Sequence, residues 1–231
     1  MSDFSKLEEK LNLSFKNKNL LKQAFVHRSF LNENPAPGLD HNERLEFLGD
    51  AVLELIVTEY LYNNYDNPEG ELTSWRAALV NSKMLSSVAK ELSFNDYILL
   101  SKGESQDVGR ARQYILANAV EALIGAIYID LGTDEADKFI KNHILSHLPA
   151  VLEKKLYRDP KSYLQELVQE KFGITPTYEV LEETGPDHAK TFIVGVYIEK
   201  ELLAKGKGSN KQEAQEEAAR NAIDTSPKIG V

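Results

Sequence analysis

The chain has 231 residues, a formal charge of −9, no cysteine, 42% hydrophobic and 27% charged side chains. This excludes disulfide scaffolds, thiolate zinc sites, iron–sulfur clusters and cysteine nucleophiles, and leaves room for one large domain or two smaller ones. The start lacks the basic-then-apolar order of a secretory signal, and no apolar run is long enough to cross a bilayer, so a cytoplasmic protein without a membrane partner is expected.

Leu7, Leu11 and Leu13, then Leu20, Leu21, Ala24 and Phe25, open a series of helices. From Asn42 to about Tyr62, apolar residues at 45, 48, 52, 55 and 56 form a buried stripe of helical period. Further helices are expected over about 72–92, 114–129 and 134–148, separated by the turn signals Asn34–Gly38, Asp66–Gly70 and Leu131–Asp134. No strand alternation precedes residue 150, so residues 1–152 are expected to be all-α. Leu148-Pro149 is read as a helix end and 153–158 as a charged linker. A helix over 162–171, strands over 177–183, 190–199 and 201–207, and a helix over 210–223 follow. They give a small α-β-β-β-α domain spanning 159–226, with 227–231 as a fraying tail. The expected fold class is therefore multi-domain, an all-α unit followed by a small α/β unit.

In the stretch His41–Asp50, helical spacing puts Glu43, Glu46 and Asp50 at i, i+3 and i+7 on one face, with Leu45, Leu48 and Val52 on the core side. Like charges on adjacent turns repel by a few tenths of a kcal/mol, about 0.2–0.5 per pair, unless a cation sits among them. A solvated acidic face and a site for a hard cation both fit these three residues. In Ile115–Gly125, Asn118 and Glu121 stand at i, i+3 among small and apolar neighbours. Polar groups in such a helix need partners. Glu121 pairs with an arginine such as Arg44 inside the core, or it faces Glu46 and Asp50 and completes a metal site with Asn118.

The run Asn42-Glu-Arg-Leu-Glu-Phe-Leu-Gly-Asp50 resembles the signature of the bacterial-type ribonuclease III family. The agreement extends to Ala24–Ser29, Glu69–Arg76 and Ile115–Gly125, and to a C-terminal unit similar to a double-stranded-RNA-binding domain. The resemblance implies a Mg²⁺-dependent endoribonuclease, with Mn²⁺ as a substitute. It would cut double-stranded RNA to 5′-phosphate and 3′-hydroxyl ends in ribosomal and messenger RNA processing, as a homodimer with one site per subunit. It makes Glu46 and Glu121 metal ligands, Asp50 and Glu121 catalytic, Glu43 and Glu69 acids lining the cleavage site, and Phe47 a knob at the dimer interface. Carboxylates suit this role as hard anionic ligands for a cation that neutralises charge on phosphate oxygens.

Asn118 departs from the family, which carries an aspartate there. Its amide oxygen can still ligate a cation, but the site loses one negative charge. The alternative is therefore a non-catalytic double-stranded-RNA-binding protein with a weakened nuclease site. Charge does not locate the RNA face, since residues 159–231 hold 9 basic and 13 acidic side chains. By resemblance, Gln165 and Glu166 reach one minor groove and His188 the next, while Lys211, with Lys205 and Lys207, meets the intervening phosphates. A second basic residue is missing, because Gln212 follows Lys211.

Overall fold

The computed structural model describes residues 3–35, 38–106, 109–186, 190–227 and 229. They divide into two compact units, Met1–Tyr157 and Arg158–Val231. The first unit holds α1 (Phe4–Leu11), α2 (Lys18–Ala24), α3 (Arg28–Glu33), α4 (Glu43–Asn64), α5 (Glu69–Val80) and α6 (Ser82–Glu91). It continues with α7 (Lys102–Gln106), α8 (Arg110–Leu131), α9 (Thr133–His143) and α10 (Leu148–Glu153).

α8 is the axle of this unit. Between Ile115 and Ile127 every side chain is buried except those of Asn118 and Glu121. It is long and apolar enough to pass for a membrane span, yet most of it is buried by neighbouring helices. A helix apolar all round belongs in a core. Burial of each of its leucines and isoleucines is worth about 1.5–3 kcal/mol. α4 packs along it through Leu45, Val52, Leu53, Ile56 and Val57.

Two helix boundaries differ from the sequence reading. The expected helix over 72–92 is two helices, because Asn81 leaves the helical conformation and its side chain caps α6 by accepting from the Met84 amide at 2.9 Å. An asparagine offers the backbone this alternative locally. Pro149 opens α10 instead of ending a helix, since a proline at the first turn needs no amide donor. Of the expected linker, Lys154, Lys155 and Leu156 donate backbone hydrogen bonds into α10, and Tyr157 packs edge-on against Trp75.

The second unit holds α11 (Pro160–Phe172), β1 (Thr177–Thr184), β2 (Thr191–Ile198), β3 (Glu201–Gly208) and α12 (Lys211–Thr225). The strands form an antiparallel sheet in the order β1-β2-β3. Leu164, Val168, Val196, Ala218, Ala219 and Ala222 make its core. Ile229, within the expected tail, is buried in that core as well. α12 lies directly on β3. A Cβ at Gly206 would stand 2.1 Å from the Ala218 nitrogen, and one at Gly208 would stand 2.4 Å from the Ala214 nitrogen. Glycine is required at both positions for that contact.

Candidate active site

The site begins with a backbone-to-backbone crossing of α4 and α8. A Cβ built on Gly49 would lie 1.7 Å from the Glu121 carbonyl oxygen, and one on Gly125 would lie 2.2 Å from that of Leu45. Only hydrogen fits between the two helices there. The sequence reading did not single out these glycines. Their signal is a pair of glycines inside two long helices, each costing about 1 kcal/mol of helix propensity without a turn to explain it.

This closeness delivers the polar pair of α8 to the acids of α4. The Glu121 carboxyl is pushed up to about 8, first by burial and then by the charges of Asp50 and Glu46. Glu46 is also raised by burial, by Glu43 and by Asp50, while a hydrogen bond from the Asn118 amide works the other way. Thus Glu46, Asp50, Asn118 and Glu121 share one neighbourhood. The core ion pair with Arg44 is not formed, and Arg44 is exposed. Among the described residues, no cation lies within ion-pair distance of Glu121.

Four oxygen donors, short of positive charge and partly desolvated, suit a hard divalent cation. Among the described residues no three of the acids and histidines close tightly enough to enclose an ion alone. That is consistent with Mg²⁺, which is usually held by one or two carboxylates and keeps positions for water and substrate phosphate. The Asn118 amide offers an oxygen that can also ligate such an ion.

The other expected residues are spread around this centre. Glu43, at the start of α4, sits 3.8 Å from Arg28 and 3.7 Å from His41. Glu69 opens α5 and lines a separate groove with Tyr62, Asp66, Thr73 and Arg76, so one chain does not bring it to Glu46 and Glu121. Phe47 is 83% exposed and lies outside the core.

In the second unit, Gln165 and Glu166 are exposed on α11, and Lys211 opens α12. His188 lies outside the described residues. Lys205 and Lys207 are not brought together with Lys211. They pair with Gly195 and Ile193 and alternate with Gly206, which faces α12, so they point from the opposite face of the sheet.

The helical unit with its acid-lined crossing and the separate α-β-β-β-α unit each match a known family. Residues 17–148 match the model of a ribonuclease-III-like family, and residues 160–225 match that of the double-stranded RNA binding motif. A protein named Ribonuclease 3 from Oceanobacillus iheyensis is 46% identical, over 96% of this chain and 98% of its own length. The Ribonuclease 3 of Enterococcus faecalis is 42% identical, over 97% of each chain. The solved nuclease domain of ribonuclease III from Campylobacter jejuni superposes with a TM-score of 0.57 at 42% identity, covering 64% of this chain and 99% of that one. The chain belongs to the ribonuclease III family and is an endoribonuclease for double-stranded RNA.

Proposed function

We propose that Glu46, Asp50, Asn118 and Glu121 bind a divalent cation, Mg²⁺ with Mn²⁺ as a substitute, and that this centre hydrolyses duplex RNA to 5′-phosphate and 3′-hydroxyl products. One observation carries the reading: the close crossing at Gly49 and Gly125 sets Glu46 and Asp50 of α4 beside Asn118 and Glu121 of α8, where burial and the charges of Asp50 and Glu46 push the Glu121 carboxyl up to about 8. A bound divalent ion supplies charge neutralisation on phosphate oxygens and activation of water. The protein supplies the rest. The Gly49–Gly125 crossing fixes the separation of the two ligand pairs, and the apolar flanks of α8 hold Asn118 and Glu121 half-buried. Because burial and its acidic neighbours raise the Glu121 carboxyl, a cation held there would favour its deprotonated form, and loading of the site would release protons. Glu43, held near Arg28 and His41, stands at the rim, in reach of the RNA strand.

The reading is tested at the family departure. Asn118→Asp adds an anionic ligand, so the Mg²⁺ concentration for half-maximal cleavage is expected to fall, and direct Mn²⁺ binding should tighten in parallel. RNA affinity in chelator should stay unchanged. Identical Mn²⁺ binding by both proteins would remove residue 118 from the metal site.

The active form is a homodimer on this reading. On α4, Phe47, Ala51, Leu55, Thr58 and Tyr62 recur every three or four residues and are all exposed. Phe47, Leu55 and Tyr62 are 83%, 67% and 78% exposed, an apolar stripe that calls for a partner. Phe47→Asp is expected to give monomers by sedimentation and to reduce cleavage more than RNA binding. A fully dimeric Phe47→Asp protein would move the interface elsewhere. The cytoplasm, and the processing of ribosomal and messenger RNA, fit an enzyme of this kind.

A further inference from the structure

We propose that Lys161 is a phosphate contact of the RNA-binding unit, completing a basic pair with Lys211 that α12 by itself does not supply. The proposal rests on the reading, by resemblance, of Gln165, Glu166 and Lys211 as RNA contacts, which makes the side formed by α11 and α12 the RNA face.

After Lys211, α12 continues Gln212, Glu213, Ala214, Gln215, Glu216 and Glu217, with no further cation before Arg220. Four other cations of the unit, Lys190, Arg158, Lys205 and Lys207, are committed or face away. Lys190 is paired with Glu183 at 2.7 Å. Arg158 lies 3.5 Å from Glu166 and over the ring of Tyr163. Lys205 and Lys207 point from the far side of the sheet.

Lys161 is placed differently. From the first turn of α11 it reaches across to α12, where its Nζ donates to Gln215 Oε1 at 2.7 Å. The same Nζ stands 5.2 Å from the centroid of the Tyr178 ring. Gln165 lies one turn further along α11, and Lys211 one turn before Gln215 on α12. The four side chains therefore form one patch across the two helices. Both partners of Lys161 are neutral, and among the described residues no carboxylate lies within ion-pair distance of it. Its charge is thus fixed in position without being cancelled. An ammonium group has three donors, and Gln215 takes one. The half-buried stem is already ordered, so engaging a phosphate costs little further side-chain entropy. A cation in the first turn also opposes the helix dipole, a local cost that an anionic partner would repay.

The test is the salt dependence of duplex RNA binding by the full chain, measured in chelator so that no cleavage intervenes. Each lost phosphate contact lowers the slope of log affinity against log salt by about 1. Lys161→Gln is expected to show that loss, Lys161→Arg to keep the wild-type slope, and Lys205→Gln with Lys207→Gln to leave it unchanged. Gln215→Glu should mimic Lys161→Gln by pairing the lysine where it stands, with both side chains still packed. A role limited to bridging the helices would shift the melting temperature and not the slope. If Lys211→Gln lowers the slope while Lys161→Gln and Gln215→Glu do not, the proposal is overturned and the RNA face stands. If none of the three lowers it, the RNA face itself is misassigned and the proposal fails with it.

Discussion

Replacing Gly49 with alanine is expected to unfold much of the first unit's advantage and to abolish cleavage together with it. The added Cβ meets the Glu121 carbonyl group, with its oxygen at 1.7 Å and its carbon at 2.6 Å. Backbone cannot rotate away as a side chain can, so α4 and α8 must separate along their whole contact. Overpacking of this kind costs about 3 kcal/mol or more. For a unit of this size that is a fall of roughly 10 °C in melting temperature. Separation also pulls Glu46 and Asp50 from Asn118 and Glu121, so any protein that stays folded at low temperature should bind Mn²⁺ weakly. A wild-type melting temperature and metal affinity for Gly49→Ala would contradict the crossing. Gly125→Ala, facing Leu45 at 2.2 Å, is expected to behave alike.

Glu121→Gln should reduce Mg²⁺-dependent cleavage by more than about 100-fold, beyond what loss of a supporting outer residue costs, while duplex RNA binding in chelator changes little. The same substitution has a stability signature. The folded-state carboxyl titrates at about 8, against an ordinary 4.5. A raised carboxyl contributes stability that is complete below pH 4.5 and is lost as pH climbs through 8. Wild-type protein in chelator should therefore lose melting temperature between about pH 5 and pH 8 relative to Glu121→Gln, which has no proton to release there. Mg²⁺ should restore the wild type most at the alkaline end, because the cation binds the deprotonated folded state. Parallel melting profiles for the two proteins across that range would place Glu121 outside the acidic cluster.

Much of the site was legible in the sequence because it lies on two long helices. The spacing of Glu46 and Asp50, and that of Asn118 and Glu121, sets their faces once the helices are granted. What spacing could not supply was the partner of Glu121, since a carboxylate in an apolar helix is equally explained by an arginine. The crossing decides it, and the crossing is written in Gly49 and Gly125. Their meaning depends on two segments some seventy residues apart meeting at one point. Lys205 and Lys207 show the same limit within a strand. Alternation puts them on one face, but which face follows only from α12 resting on Gly206 and Gly208. Leu55 reads as a member of the buried stripe, and its exposure on α4, beside that of Phe47, becomes visible only when Leu45, Val52 and Val57 have claimed the α8 side. The break at Asn81 was hidden because a capping asparagine and a helical asparagine look alike in sequence.

Incubation of the full chain with long duplex RNA, in Mg²⁺ and in chelator, followed by mapping of product ends, tests the acidic centre most directly. Short duplex products with 5′-phosphate and 3′-hydroxyl ends are expected in Mg²⁺ alone, and Glu121→Gln should give none. Cleavage that persists in chelator, or RNA left intact in Mg²⁺ by folded, RNA-bound protein, would contradict a metal-dependent centre at the crossing of α4 and α8.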